Sequence, residues 1–179
     1  SIFLKNLKIV IMVSTNIENA LNKQIRIEAE SSQIYLSMAC WAESKGFEGV
    51  AEFMFAQADE EREHMLRLLK YLTERGGKAI ISELSKPSTD YNSPKQMFEE
   101  VFEHEIFVSN SINELVSLTF EEKDFATHNF LQWYVAEQIE EESTARTILD
   151  KINLIGDDRS GFYLFDKDVR SMIAKHSAQ

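Results

Sequence analysis

Ala58-Asp59-Glu60-Glu61-Arg62-Glu63-His64 places acid and imidazole inside a long amphipathic stretch, where apolar residues are expected. Counting in sevens, Met54 precedes Glu61 by one heptad and Leu68 follows it by one. A helix therefore points Glu61 the same way as two apolar side chains. His64, three residues on, shares that face. The pattern recurs three times. Leu21 and Tyr35 flank Glu28, Phe98 and Ile112 flank Glu105, and Tyr134 and Ile148 flank Glu141.

The chain has 179 residues, 44% of them apolar, which suits one well-filled core. Two prolines and six glycines leave long runs free of both and favour an all-helical protein over a sandwich or barrel. The formal charge of −11 disfavours nucleic acid as a partner and favours small cations. The one cysteine, Cys40, has no internal disulfide partner, which fits a reducing compartment such as the cytoplasm. Met38, Ala39 and Trp41 around it suggest a partly buried packing thiol. Residues 1–13 are apolar but interrupted by Lys5 and Lys8, too broken for a membrane span and without a cleavage pattern. They are read as an N-terminal extension to a domain over 14–179. Met12 is a plausible initiator, with residues 1–11 lying upstream of it.

Thr15-Asn16-Ile17-Glu18 has the form of a capping box opening a first helix, which ends near Lys45-Gly46. A second runs from about Phe47 to Gly76-Gly77, glycines suited to a left-handed close. From Lys78 to Asn92 the pattern breaks for longer than an ordinary loop, enough to cross the length of a bundle. Ser93-Pro94-Lys95-Gln96 supplies the cap, first-turn proline and glutamine of a third helix. A fourth opens after Lys123-Asp124 and ends near Gly156, and a short fifth starts at about Ser160. The expected fold is an all-α four-helix bundle with a long crossover between helices two and three and a short C-terminal helix.

Each stripe acid lies near the middle of its long helix, so all four can meet at one level of a bundle. Burying an ionised carboxylate without partners costs several kcal/mol, and a domain's net stability is only about 5–15 kcal/mol. Four such groups require neutralisation, and two divalent cations balance four negative charges. His64 and the amide of Gln138, three residues before Glu141, add ligands from the same faces. Oxygen ligands with a single imidazole suit iron, manganese or zinc. Tyr35, a heptad from Glu28, is either core or a redox participant, and Trp133 presents the same choice. Glu60, Glu137 and Glu140 are either a solvated face or a third cation site beside the pair.

These residues resemble the non-haem bacterial ferritins from about Ser14 to the C-terminal helix. The most specific matches are Glu28, Glu60-Glu61-Arg62-Glu63-His64, His104-Glu105 and Asn129-Phe130-Leu131-Gln132-Trp133-Tyr134-Val135-Ala136-Glu137-Gln138. Related di-iron bundles carry two glutamates and two Glu-x-x-His pairs, whereas this chain has one such pair and Gln138-x-x-Glu141 in place of the other. That difference is similar to ferritin and unlike bacterioferritin, and Arg62 stands where a bacterioferritin-like chain carries its haem-ligating methionine, so no haem is expected.

The resemblance implies a ferroxidase and iron store: a cytoplasmic 24-mer shell, a homo-oligomer that oxidises Fe²⁺ with O₂ or H₂O₂ and deposits ferric mineral inside. It implies two irons per subunit, one held by Glu28, Glu61 and His64, with Glu61 bridging to a second held by Glu105 and Glu141, and Gln138 nearby. It further implies a third iron site at Glu60, Glu137, Glu140 and Glu141, with Tyr35 as the tyrosine of the centre. Oxidation adds two positive charges that an oxide derived from the oxidant can offset, which favours release of the product pair toward the cavity.

Three other readings compete. A di-iron peroxidase of the rubrerythrin type normally adds a four-cysteine module, and this chain has one cysteine. A metal-free structural shell subunit should have lost the stripe acids, and all four are present. A DNA-protecting mini-ferritin would lack the last helix.

Overall fold

The computed structural model describes residues 12–173, so the expectation for residues 1–11 lies outside the described residues. Five helices follow in the expected order: α1 (Thr15–Ser44), α2 (Glu48–Glu74), α3 (Pro94–Glu121), α4 (Phe125–Ile155) and α5 (Arg159–Arg170). There is no strand among the described residues. No helix among them is long and apolar enough to cross a membrane.

The helix ends follow local chemistry. Gly46 at φ +79° and Gly76 at φ +75° turn the chain out of α1 and α2 in a conformation that only glycine adopts without strain. Ser93 Oγ accepts from the Gln96 amide at 3.1 Å with Pro94 at the first position, as expected for α3. The Gln96 side chain reaches back one residue further than a capping box does, accepting from the Asn92 amide at 2.8 Å. The start of α1 requires a correction. Its cap is Ser14, whose Oγ accepts from the Ile17 amide at 3.1 Å. Glu18 does not reach back; its Oε2 accepts from the Lys78 amide at 3.1 Å and holds the crossover instead.

The crossover is pinned along α1. Asn22 accepts from the Ile80 amide at 2.8 Å and donates to the Lys78 carbonyl at 2.9 Å, and further on Ser37 donates to the Ser88 carbonyl at 2.6 Å. From Asn22 to Ser37 is about 22 Å of helix at about 1.5 Å per residue. The connection therefore carries the chain from one end of the bundle toward the other.

Pairing follows from which halves of the helices share a core. One apolar cluster joins the C-terminal half of α1 (Tyr35, Met38, Ala42), the N-terminal halves of α2 (Val50, Phe53, Met54) and α3 (Met97, Phe98), the C-terminal half of α4 (Ile148, Ile152) and α5 (Phe165, Val169). A second gathers the opposite halves, through Leu21, Ile25, Leu68, Leu72, Ile112, Leu115 and Leu131. So α1 and α2 run antiparallel, as do α3 and α4, while α2 and α3 run parallel. Only the long crossover permits that last relationship. Cys40 departs from expectation: it is helical but exposed, one position off the buried face that holds Ala39 and Trp41.

The two clusters are separated by a layer that is not apolar. All eight heptad neighbours of the stripe acids are 1% exposed or less, and the acids themselves lie between them: Glu28, Glu61 and Glu105 at 1% and Glu141 at 3%. One carboxylate from each long helix fills the gap.

Candidate metal centre

Each of the four acids is delivered by a helix already committed to burying the positions seven residues to either side, so none can turn to solvent without pulling two apolar residues out of the core. Their surroundings differ. Gln24 Nε2 donates to Glu28 Oε1 at 2.8 Å, while Ser111 Oγ donates to Gln24 Oε1 at 2.7 Å, a relay from α3 through α1. Glu28 Oε2 has no hydrogen-bond partner. Glu105 is held on both oxygens: the Tyr35 hydroxyl donates to Oε1, and Gln138 Nε2 donates to Oε2 at 3.1 Å. Gln57 Nε2, from α2, donates to Glu141 Oε2 at 2.9 Å.

Glu61 is different. Neither of its oxygens has a hydrogen-bond partner, although both are buried. Nδ1 of His64 stands 3.2 Å from Glu61 Oε2 and 3.9 Å from Glu28 Oε2. One ligand atom from each of Glu28, Glu61 and His64 lies within 4.8 Å of the others. A buried carboxylate left without donors is expensive to keep ionised, and a cation coordinated by these oxygens removes the penalty.

Proton affinities follow. Burial raises the Glu61 carboxyl well above its ordinary range, and the neighbouring charges of Glu28 and Glu105 push it further. Burial likewise raises Glu141, helped by Glu105 and Glu60. For Glu105 burial pushes the carboxyl up to about 7, against the opposing pull of the Tyr35 and Gln138 donors. Burial also raises the Tyr35 hydroxyl well above its usual range, so it stays protonated and donating. Without cations the layer is an array of acids that resists holding all its charges at once.

A groove of about 850 Å³ between α2 and α4 opens beside this layer, lined among others by Gln57, Glu60, Arg62, His64, Glu137 and Glu140. Glu60, His64 and Glu137 form a second grouping with ligand atoms within 4.8 Å of one another. Of the expected third set, Glu60, Glu137 and Glu140 line the groove and Glu141 does not, and of those three Glu60 and Glu137 group with His64. Glu105 and Glu141 join no such grouping among the described residues; each is turned toward its own donors, Tyr35 and Gln138 for the first and Gln57 for the second. The Trp133 ring packs edge-on against the His64 imidazole with centroids 5.2 Å apart, under the Arg67 guanidinium at 4.1 Å. The Tyr134 hydroxyl donates to the His64 carbonyl at 2.7 Å.

Sequence reasoning missed Gln24 and Gln57. A signal was available: each lies four residues before a stripe acid, Glu28 and Glu61, and so on the same helical face.

Comparisons with known proteins point to one family. The ferritin-like domain profile matches residues 18–155. The chain is 46% identical over 164 residues to the probable bacterial non-heme ferritin-like protein of Haemophilus influenzae, covering 92% of this chain and 99% of that one. It is 40% identical over 161 residues to the bacterial non-heme ferritin of Campylobacter jejuni, covering 90% and 96%. Among solved structures, an open pore ferritin from the hyperthermophilic archaeon Archaeoglobus fulgidus superposes with a TM-score of 0.88 at 42% identity, covering 89% of this chain and 97% of that one.

Proposed function

The chain belongs to the ferritin family, and from that premise we propose that it oxidises Fe²⁺ at the four-carboxylate layer and stores the ferric product within an oligomeric shell. Iron is the substrate. The observation that carries the reading is Glu61, a buried carboxylate with both oxygens unpartnered and His64 Nδ1 at 3.2 Å. Such a group suits a ligand shared by two cations: one with Glu28 and His64, the other with Glu105 and Glu141, where Gln138 can offer its carboxamide oxygen.

The chain's own residues do the following. Gln24 and Ser111 fix Glu28, leaving its Oε2 for a cation. Tyr35 and Gln138 hold Glu105, and Gln57 holds Glu141. Glu61, Glu105 and Glu141, whose proton affinities are raised by burial, give up protons as Fe²⁺ arrives, because two divalent ions balance four negative charges. Two Fe²⁺ give up one electron each; O₂ takes both with two protons to become H₂O₂, or H₂O₂ takes both with two protons to become two waters. The groove acids Glu60, Glu137 and Glu140 provide a third cation position and an exit for Fe³⁺. Arg62 in the groove offers no haem ligand, in keeping with a non-haem protein. A 24-mer shell and a cytoplasmic setting complete the reading, supported by the family and by an unpaired Cys40.

The test is anaerobic titration of metal-free protein with Fe²⁺, then exposure to air, following iron bound per chain and ferric absorbance. Two to three tight irons per chain, oxidised fast and followed by continued mineral growth, is the expected result. Oxidation that stops at that count favours a di-iron peroxidase, and absence of tight binding removes the ferroxidase reading.

A further inference from the structure

Three of the four buried carboxylates accept from a glutamine amide: Glu28 from Gln24 at 2.8 Å, Glu105 from Gln138 at 3.1 Å and Glu141 from Gln57 at 2.9 Å. Gln57 differs from the other two in place. It is 5% exposed and lines the α2–α4 groove, yet its amide crosses from α2 to a carboxylate on α4. Its partner stands on the same border. Glu141 feels the charge of Glu105 from within the layer and those of Glu60 and Glu137, both lining residues of the groove.

Resting on the ferroxidase reading above, we infer that Gln57 is a positioning residue that commits Glu141 to the buried cation pair and withholds it from the groove. An N–H and a cation compete for the same lone pairs of a carboxylate oxygen. With Oε2 occupied by the Gln57 donor, Glu141 presents its other oxygen to the cation it shares with Glu105. Release of that bond frees Glu141 to join Glu60, His64 and Glu137 around a groove cation. Gln57 therefore sets the division of cations between the oxidising pair and the groove.

The test uses metal-free, full-length protein titrated with Co²⁺, which resists oxidation by air in such sites and reports its ligands by visible absorption. Wild type, Gln57→Met and Glu137→Gln are compared; the binding step lost in Glu137→Gln identifies the groove cation. In Gln57→Met the groove step is expected to tighten and one buried step to weaken, each by about tenfold or more, the scale on which outer hydrogen-bond partners act on metal affinity. Its Co²⁺ spectrum should shift toward the groove form at substoichiometric metal. If Gln57→Met does not fold, Gln57→Leu decides: it removes the donor without adding a ligand to the groove, and it should tighten the groove step by at least about tenfold. Unchanged steps, or a uniform weakening of all of them, overturn the inference, because a merely structural prop has no preference between the two sides. Wild-type protein without tight Co²⁺ binding overturns the site reading itself, and the inference with it.

Discussion

Asp166 of α5 closes the N-terminus of α2 at Gly49: its Oδ2 accepts from the Gly49 amide at 3.1 Å and its Oδ1 from the Val50 amide at 3.0 Å. The N-cap of α2 is Phe47, whose side chain offers no hydrogen bond, so the orphan amides of the first turn are satisfied from another helix. Arg170 adds an ion pair to Glu52 at 2.7 Å one turn along α5.

The approach is close enough to demand glycine. A Cβ on Gly49 would lie 1.7 Å from the Asp166 carbonyl oxygen, which is backbone and cannot turn aside. Gly49→Ala is therefore expected to displace α5, with a loss of about 1–3 kcal/mol from overpacking. Asp166→Ala, which removes only the cap, should cost about 0.5–2 kcal/mol. Denaturant unfolding measures both, and faster tryptic cleavage at Lys167 and Arg170 should accompany the glycine change more than the aspartate change.

Stability of the metal-free protein should fall as pH rises through the acid layer's range. In the folded chain the Glu105 carboxyl sits at about 7, against 4.5 for the free side chain. Below about pH 4.5 folded and unfolded chains both hold the proton, and the full stability is present. Between there and about 7 the unfolded chain releases it and the folded chain does not, so stability drains away with rising pH, by an upper limit of about 3 kcal/mol at about 1.4 kcal/mol per pH unit. Glu61 and Glu141, also raised, add in the same direction. Glu105→Gln should thus match wild type in thermal unfolding near pH 4.5 and exceed it above pH 7. A difference that does not widen with pH contradicts the assignment.

Removing Glu61 separates site from scaffold. Both of its buried oxygens lack donors, so Glu61→Ala takes away an unfavourable group and leaves a cavity in exchange. Shell assembly, read by size-exclusion chromatography, should survive. Fast Fe²⁺ oxidation should drop by about 100-fold or more if, as proposed, two cations share Glu61, since such a ligand matters at least as much as the outer partners whose loss costs about 10–100-fold. Loss of assembly would make Glu61 a structural residue.

The sequence disclosed those acids because each interrupts a helical period that the core enforces; Leu21, Tyr35, Met54 and Leu68 are found by counting sevens along the chain from Glu28 and Glu61, and all four are buried. The helix ends were legible where Gly46 and Gly76 allow the left-handed turn and Pro94 fixes the first turn of α3. Ser14 and Thr15 are adjacent hydroxyls offering the same capping chemistry, and one position of ambiguity hid the role of Glu18 in holding the crossover. Cys40 was misplaced for a related reason: neighbours on a helix point about 100° apart, so buried Ala39 and Trp41 say little about the residue between them. The bond from Gln57 to Glu141 and the cap from Asp166 to Gly49 join different helices far apart in sequence, and no period within one helix contains them.

Tyr35 links that hidden set of contacts to the chemistry. Its hydroxyl donates to Glu105 and pulls the carboxyl down against the effect of burial. Tyr35→Phe removes that pull, so the Glu105 carboxyl should move above about 7 and hold its proton more tightly. A cation must displace the proton, so Co²⁺ affinity should weaken about tenfold near pH 6.5 and recover near pH 8.5, displacing the pH profile by about one unit for each tenfold. The same comparison settles whether the ring also passes electrons. If Tyr35 only donates, Fe²⁺ oxidation by Tyr35→Phe returns to the wild-type rate at the higher pH, where Glu105 is ionised in both proteins. A deficit that persists there, with Co²⁺ affinity restored, assigns the tyrosine a part in the oxidation itself.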